Sequence, residues 1–411
     1  MSATTLDPAG QIGRMRLFVV LAALYLAQAI PSYLLVAALP PIMREAGVSR
    51  TDLSNLSLLF LPLVLKFLWA PLVDRLRPFA RAQRAGWVVL TQAGVILCIL
   101  SLMLVAPTDV WSIIAIGFMT SLLVSTQDIA TDGYAAKYLP VADRGIGNAI
   151  QGGSIAIGVV VGGTMGLVLH HHFGWQVMIL AIAAISLLPL VAAFAMREPP
   201  PGPLEAHALP SLRAFLRRRE ARAILWIALL YRASEGLVKA LEGPYLVDAG
   251  VPLDWIGYIS GLSAVTAGLA GTAIAAVMVR KKGLSFTLSL LGNARTLCFL
   301  LFALHAAGWV SGFVPLFGAA GFQTLIRYME IVALYSLFMA VSSPEQPGTD
   351  FTVLACAQLI VYMAGSFIAG RLADAMGYTA VFGLATALSF IAVMGTLGLL
   401  RRAKTMAAIP Q

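Results

Sequence analysis

Two Arg-x-x-Glu sequences, Arg232-Ala233-Ser234-Glu235 and Arg327-Tyr328-Met329-Glu330, lie inside apolar stretches long enough to cross a bilayer. A charge at the centre of a membrane helix costs about 2.5–3.5 kcal/mol even on the lenient insertion scale, so it must meet a partner or water. Residues i and i+3 share a helix face, so each arginine can neutralise its own glutamate as a structural ion pair. Two such pairs also suit transport chemistry. A guanidinium offers a planar fork to carboxylate or phenolate oxygens, which makes Arg232 and Arg327 candidate substrate-binding cations. A carboxylate in a low-dielectric cavity takes up a proton more readily, which makes Glu235 and Glu330 candidate proton carriers. A substrate anion that captures the arginine frees the glutamate to accept a proton, and this gives coupling a physical cause.

The remaining charges inside apolar stretches are Lys66, Asp128, Asp132, Lys239, Glu242 and Arg295. Asp128 and Asp132 lie close to the end of the second stretch, where Asp74 and Arg75 follow. They either brace a gate against Lys66 or Arg75, or, in the case of Asp128, join the proton path. Lys66, Asp74, Arg75 and Asp132 are therefore candidate gating residues. Lys239 and Glu242 read as an entrance lining or a helix-end pair, and Arg295 as a satisfied structural charge. Tyr25, Gln28 and Tyr33 offer polar contacts from the first stretch. With Tyr231, Tyr328 and Tyr335, those tyrosines could stack on an aryl or heterocyclic ligand. His170, His171 and His172 read as a solvated loop.

The elements that must position these residues are membrane helices. The chain is 59% hydrophobic and 11% charged, whereas soluble domains carry about 25% charged residues. Cys98, Cys298 and Cys356 all fall in apolar stretches, and no Cys/His spacing suits a metal, so neither disulfides nor a cofactor is expected. The first stretch has no cleavage site and reads as a retained span. Spans of roughly 20 residues are expected at 17–39, 53–73, 85–106, 111–136, 146–169, 175–196, 222–247, 255–279, 285–306, 309–341, 351–370 and 378–400. This is an all-α fold of twelve transmembrane helices. The net charge of +9 sits in the connections, which argues against nucleic acid. Basic residues crowd the connections on one side, among them Arg75, Arg77, Arg81, Arg84, Arg213, Arg217–Arg219 and Arg280–Lys282. The other side holds only Arg44, Arg50 and Arg371. The positive-inside rule therefore places both termini in the cytoplasm.

A Pro-rich and then basic connection, 197–221, divides the chain into six-helix halves at 1–196 and 222–411. A weak repeat supports the division: Phe173-Gly174-Trp175 follows span 5, and Met376-Gly377-Tyr378 follows span 11. On this numbering most of the intramembrane charges fall on spans 4, 7 and 10, with polar groups but no charge on span 1. The glycines Gly158, Gly162 and Gly166 recur every fourth residue and predict close helix packing.

Lys66-Phe67-Leu68-Trp69-Ala70-Pro71-Leu72-Val73-Asp74-Arg75 and Gln127-Asp128-Ile129-Ala130-Thr131-Asp132-Gly133-Tyr134 resemble runs in one branch of the major facilitator superfamily, the muropeptide permeases and acetyl-CoA transporters. Of the general loop motif of that superfamily, Asp74 and Arg75 match, but Ala70 or Pro71 replaces the leading glycine. Gln346-Pro347-Gly348-Thr349-Asp350-Phe351-Thr352 looks most like the rhizobactin- and pyochelin-type siderophore importers. The resemblance implies a monomeric, multi-pass protein of the bacterial inner membrane. It would import a ferric siderophore from periplasm to cytoplasm by proton-coupled alternating access, with a muropeptide or other anionic conjugate as the alternative. A membrane enzyme or sensor is the reading from another class. Against it, the sequence shows no nucleophile elbow, phosphate loop or metal cluster.

Overall fold

The computed structural model describes residues 13–49, 52–53, 55–79, 82–198, 210–251 and 266–405. The first part of the expected span 255–279, the prolines of 199–209, and Arg50 and Arg81 lie outside the described residues. Apart from an isolated bridge between Phe79 and Ala82, the regular structure among the described residues is helical.

Helix α1 (Arg14–Tyr33) passes through a π turn, Leu34–Ala38, into α2 (Leu39–Glu45). The expected second span is not one α-helix. It alternates a 3-10 turn (Asn55–Phe60), α3 (Leu61–Leu65), a second 3-10 turn (Lys66–Leu68) and α4 (Ala70–Arg75). The reason is local: Pro62 and Pro71 donate no backbone N–H, so each is placed in the first turn of a new segment. Then come α5 (Arg84–Ser101) and α6 (Val110–Tyr138). The Asp109 carboxylate caps α6 by accepting from the Ser112 amide at 3.2 Å. Helix α7 (Arg144–Gly158) continues through a π turn, Val159–Met165, into α8 (Gly166–Ala193). Beyond the linker lie α9 (Leu212–Arg217), α10 (Arg219–Leu230), α11 (Glu235–Asp248), α12 (Thr272–Lys282), α13 (Leu284–Ala306), α14 (Phe313–Val341) and α15 (Pro347–Thr405).

Among the described residues, seven helical runs are long and apolar enough to cross a membrane. Two of them, Val141–Ala193 (53 residues) and Pro347–Arg401 (55 residues), are long enough to cross twice at 1.5 Å per residue. Each is broken by a glycine of the expected repeat: Gly174 has φ 82° and ψ 178°, and Gly377 has φ 78° and ψ 163°. Backbone with positive φ of this kind is adopted at little cost only by glycine, which has no Cβ to clash.

The chain forms two compact units. The first comprises 1–140, 153–212 and 342–352, and the second 141–152, 213–341 and 353–411. The stretches 141–152 and 342–352 thus group differently from the 1–196 and 222–411 division expected from sequence. The first unit packs around Leu34, Ile113, Met178 and Ile179, and the second around Val238, Phe299, Phe302 and Phe382.

Glycine permits a close helix contact in each unit. In the first, a Cβ on Gly162 would lie 2.2 Å from the Ile30 carbonyl oxygen on α1. In the second, a Cβ on Gly236 of α11 would lie 2.1 Å from the Tyr362 carbonyl oxygen on α15. Both contacts join the first and fifth expected spans of a half. The glycine stands on the fifth span in one and on the first span in the other.

Candidate functional site

The expected seventh span is two helices rather than one. Helix α10 stops at Leu230, residues 231–234 form a turn, and α11 begins at Glu235. The break follows from one exchanged hydrogen bond. The Glu235 amide bonds the Arg232 carbonyl at 3.1 Å, so it does not make the i→i−4 bond to Tyr231 that would continue the helix. Glu235 becomes the first residue of α11, where the helix dipole favours a carboxylate.

That carboxylate is 1% exposed and gathers two arginines. Arg232 Nη2 donates to Oε1 at 2.6 Å while its Nε meets Oε2, and Arg327 Nε approaches Oε1 at 3.2 Å. The pairing inside Arg327-x-x-Glu330 does not form. Glu330 instead accepts Arg295 Nη1 on both oxygens at 2.9 Å. Arg295 also donates from Nη2 to the Tyr231 carbonyl at 2.7 Å and from Nε to Ser389 Oγ at 3.2 Å. Its charge lies 4.6 Å over the Tyr231 ring. The Tyr231 carbonyl is the one left over by the helix break, and Arg295 satisfies it. Arg295 is thus the counter-ion of a proposed proton carrier, beyond the satisfied structural charge expected from sequence.

Two further expectations change. Tyr231 is fully buried beneath Arg295, with its hydroxyl donating to the Leu288 carbonyl at 2.7 Å, so its ring is not free to stack on a ligand. Arg327 keeps 33% of its side chain exposed, against 8% for Arg232. Its guanidinium lies 5.2 Å from the centre of the Tyr362 ring. Tyr362 was missed by sequence reasoning because no spacing marks it. Gln323 was missed although a signal existed: with Arg327 and Glu330 it forms an i, i+4, i+7 stripe on α14. Both amide atoms of Gln323 are buried and have no hydrogen-bond partner among the described residues, and the same holds for Ser234 Oγ. Tyr328 and Tyr335 are half-buried, the latter against Phe338 with ring centroids 5.9 Å apart. Lys239 and Glu242 pair at 2.7 Å.

The first unit holds a smaller polar group. Lys66 pairs with Asp128, and the Tyr25 hydroxyl donates to Asp132 Oδ1 at 3.1 Å. Gln28 Nε2, both amide atoms of Gln127 and Thr131 Oγ1 are buried without a partner among the described residues. Tyr33 is half-buried nearby on α1.

Below this group, Asp74 accepts the Thr349 amide at 2.6 Å and Arg84 Nη2 at 3.2 Å. Glu198 accepts the amides of Arg84 and Ala85 at 3.1 and 2.6 Å. Gln346 donates to Asp350 Oδ1 at 2.7 Å. Arg75, expected in this gate, is exposed; the buried Arg84 takes the place beside Asp74. Asp74 lies just past the second expected span. Burial raises its carboxyl above the ordinary carboxylate value, with the Arg84 charge and the Thr349 amide opposing.

Residues 21–329 match the family described as Major Facilitator Superfamily. The chain belongs to this superfamily. It is accordingly a multi-pass membrane transporter for a small molecule rather than an enzyme. Among its relatives is the anhydromuropeptide permease of Escherichia coli (strain K12), 25% identical over 369 residues, which are 87% of this chain and 74% of that protein. Another is the putative transporter AmpG 4 of Rickettsia conorii, 21% identical over 372 residues, which are 86% of this chain and 89% of that protein. The superfamily fold is also seen in the crystal structure of the human organic anion transporter MFSD10. That structure has a TM-score of 0.70 at 16% identity, covering 94% of this chain and 100% of the other.

Proposed function

We propose that this chain is a proton-coupled permease of the bacterial inner membrane that imports an anionic conjugate of the anhydromuropeptide class. In this reading it has twelve spans with both termini in the cytoplasm, and it works as a monomer. The observation that carries the substrate class is the relation to an anhydromuropeptide permease along 87% of the chain. The second unit supplies a means of holding an anion. Arg327 is the partly exposed member of a buried cluster and shares Glu235 with Arg232. A substrate carboxylate that takes Arg327 leaves Glu235 with one arginine instead of two, and its affinity for a proton rises. In this reading Glu235 is the leading proton carrier and Glu330 is held in place by Arg295. Gln323, on the same helix as Arg327, supplies an unpartnered amide to the substrate, and Lys66–Asp128 and Asp132–Tyr25 belong to the gate.

Import of a ferric siderophore, the leading expectation from sequence, loses its support. It rested on Gln346–Thr352, and that segment has a sufficient role without a substrate. Thr349 holds Asp74, and Gln346 and Asp350 hold each other.

The test is uptake into proteoliposomes carrying the purified protein, with an inward proton gradient. Radiolabelled anhydromuropeptide should accumulate and a labelled ferric siderophore should not. Glu235→Gln should abolish the dependence on the gradient. Siderophore accumulation without muropeptide uptake would reverse the assignment.

A further inference from the structure

A cavity of about 320 Å³ opens in the second unit where the start of α7, the corner between α12 and α13, and the end of α14 meet. Arg144, Gly145, Arg280, Gly283, Leu284 and Ser336 are among its lining residues, and among the described residues no acidic side chain lines it. Arg144 Nε is buried with no partner, and Arg144 makes no ion pair among the described residues. Ser336 is already engaged: it donates to the Val332 carbonyl at 2.7 Å and accepts from Asn148 at 3.0 Å. Arg280 reaches the cavity from the end of α12 and is exposed.

A partly buried guanidinium without a counter-ion is costly, and the cost is relieved by an anion that supplies the missing charge and hydrogen bonds. Two guanidinium groups around one cavity match the several oxygens of a phosphate better than a single carboxylate. The geometry adds a third source of donors. Helix α13 begins at Leu284 after Gly283, whose φ of 79° turns the chain, and no side chain caps its first amides. Leu284 lines the cavity itself, so this uncapped end strengthens the preference for negative charge.

We propose that this cavity binds a phosphate-class anion between Arg144 and Arg280. The apolar share of the wall, from Val141, Val279 and Ala340, favours a phosphodiester with a carbon skeleton, as in an anionic phospholipid headgroup, over free phosphate. The basic corner Arg280-Lys281-Lys282 would bring the opening to the surface of an anionic leaflet. The site is separate from the Arg232–Glu235–Arg327 cluster, so it does not depend on which solute is carried.

The experiment uses the full-length protein, purified and delipidated in a neutral detergent. Thermal unfolding is followed while phosphatidylglycerol, phosphatidylcholine or inorganic phosphate is titrated. Phosphatidylglycerol should raise the midpoint and phosphatidylcholine should not. Losing one charged hydrogen-bond partner should weaken that effect about tenfold in Arg280→Gln. Because Arg280 is exposed, this variant should fold normally; Arg144→Gln provides the second measurement from the buried side. Lys281→Gln removes the same charge from an exposed position that does not line the cavity, and should leave the titration unchanged. A midpoint shift from inorganic phosphate alone, lost in Arg280→Gln, would assign the site to free phosphate. Equal weakening in Arg280→Gln and Lys281→Gln would reduce the effect to surface charge and overturn the proposal, as would no stabilisation by any of the three.

Discussion

Glu330 and Glu235 have the same residue type and similar burial, yet their partners give them different work. Glu330 is 0% exposed and faces one arginine, Arg295, which is itself 1% exposed and fully engaged. Breaking a buried pair by removing one partner typically costs about 3–5 kcal/mol, because the other charge is left uncompensated. Glu330→Gln and Arg295→Gln should therefore each lower the unfolding midpoint strongly, while the double variant should lie closer to the wild type than either. A double-mutant cycle in detergent measures this, and additive single effects would show the two side chains to be independent. Arg327 should behave differently. With a third of its side chain exposed and Glu235 still paired to Arg232, Arg327→Lys should leave the midpoint almost unchanged. Lysine keeps the charge but loses the planar fork and its stack on Tyr362, so uptake of the anionic substrate should fall about tenfold or more. The two arginines thus separate stability from transport.

At the scale of elements, the two expected repeat sequences became two measurable bends, Gly174 and Gly377, with φ within a few degrees of each other. Hydropathy and glycine placement made these legible, since both depend on residues near in sequence. The close packing expected of the Gly158–Gly162–Gly166 stripe was legible for the same reason, whereas Gly236 belongs to no such every-fourth-residue pattern. Gly162→Ala and Gly236→Ala each put a methyl about 2 Å from a carbonyl oxygen of the neighbouring helix. Overpacking of this kind costs about 1–3 kcal/mol. Gly318→Ala, in open space on α14, should instead stabilise by up to ~1 kcal/mol through helix propensity. Thermal unfolding of the three variants in one detergent would compare them directly. What the sequence concealed were choices made between distant residues. The i, i+3 spacing allows Arg327 to reach Glu330. It carries no information about Arg295 on a neighbouring helix, which lies 35 residues away and donates from Nη1 to both oxygens of Glu330. The turn at 231–234 was hidden as well, because hydropathy reads Tyr231–Ser234 as part of one apolar run. The Gln346–Thr352 segment looked like a mark of substrate class, but its amide and side chains serve Asp74 and one another.

For the whole molecule, sidedness decides what each group can do, because a proton carrier needs access to opposite faces in turn. In the proposed orientation, the basic residues of the 75–84 and 280–282 connections face the cytoplasm. The His170–His172 and Ala307–Gly312 corners then fall on the opposite face. The native cysteines favour a direct measurement: Cys298 and Cys356 are buried and Cys98 is half-buried in α5, so background labelling should be low. Single cysteines introduced as Arg75→Cys and Lys281→Cys should react in intact cells only with a membrane-permeant maleimide. His171→Cys and Trp309→Cys, both at exposed positions, should react with an impermeant one. The opposite pattern would invert the protein. Arg144 and Arg280 would then face the periplasm, and the proposed direction of import would have to be reversed with them. The first pattern would put the phosphate-class cavity on the cytoplasmic leaflet, where anionic headgroups are available to fill it.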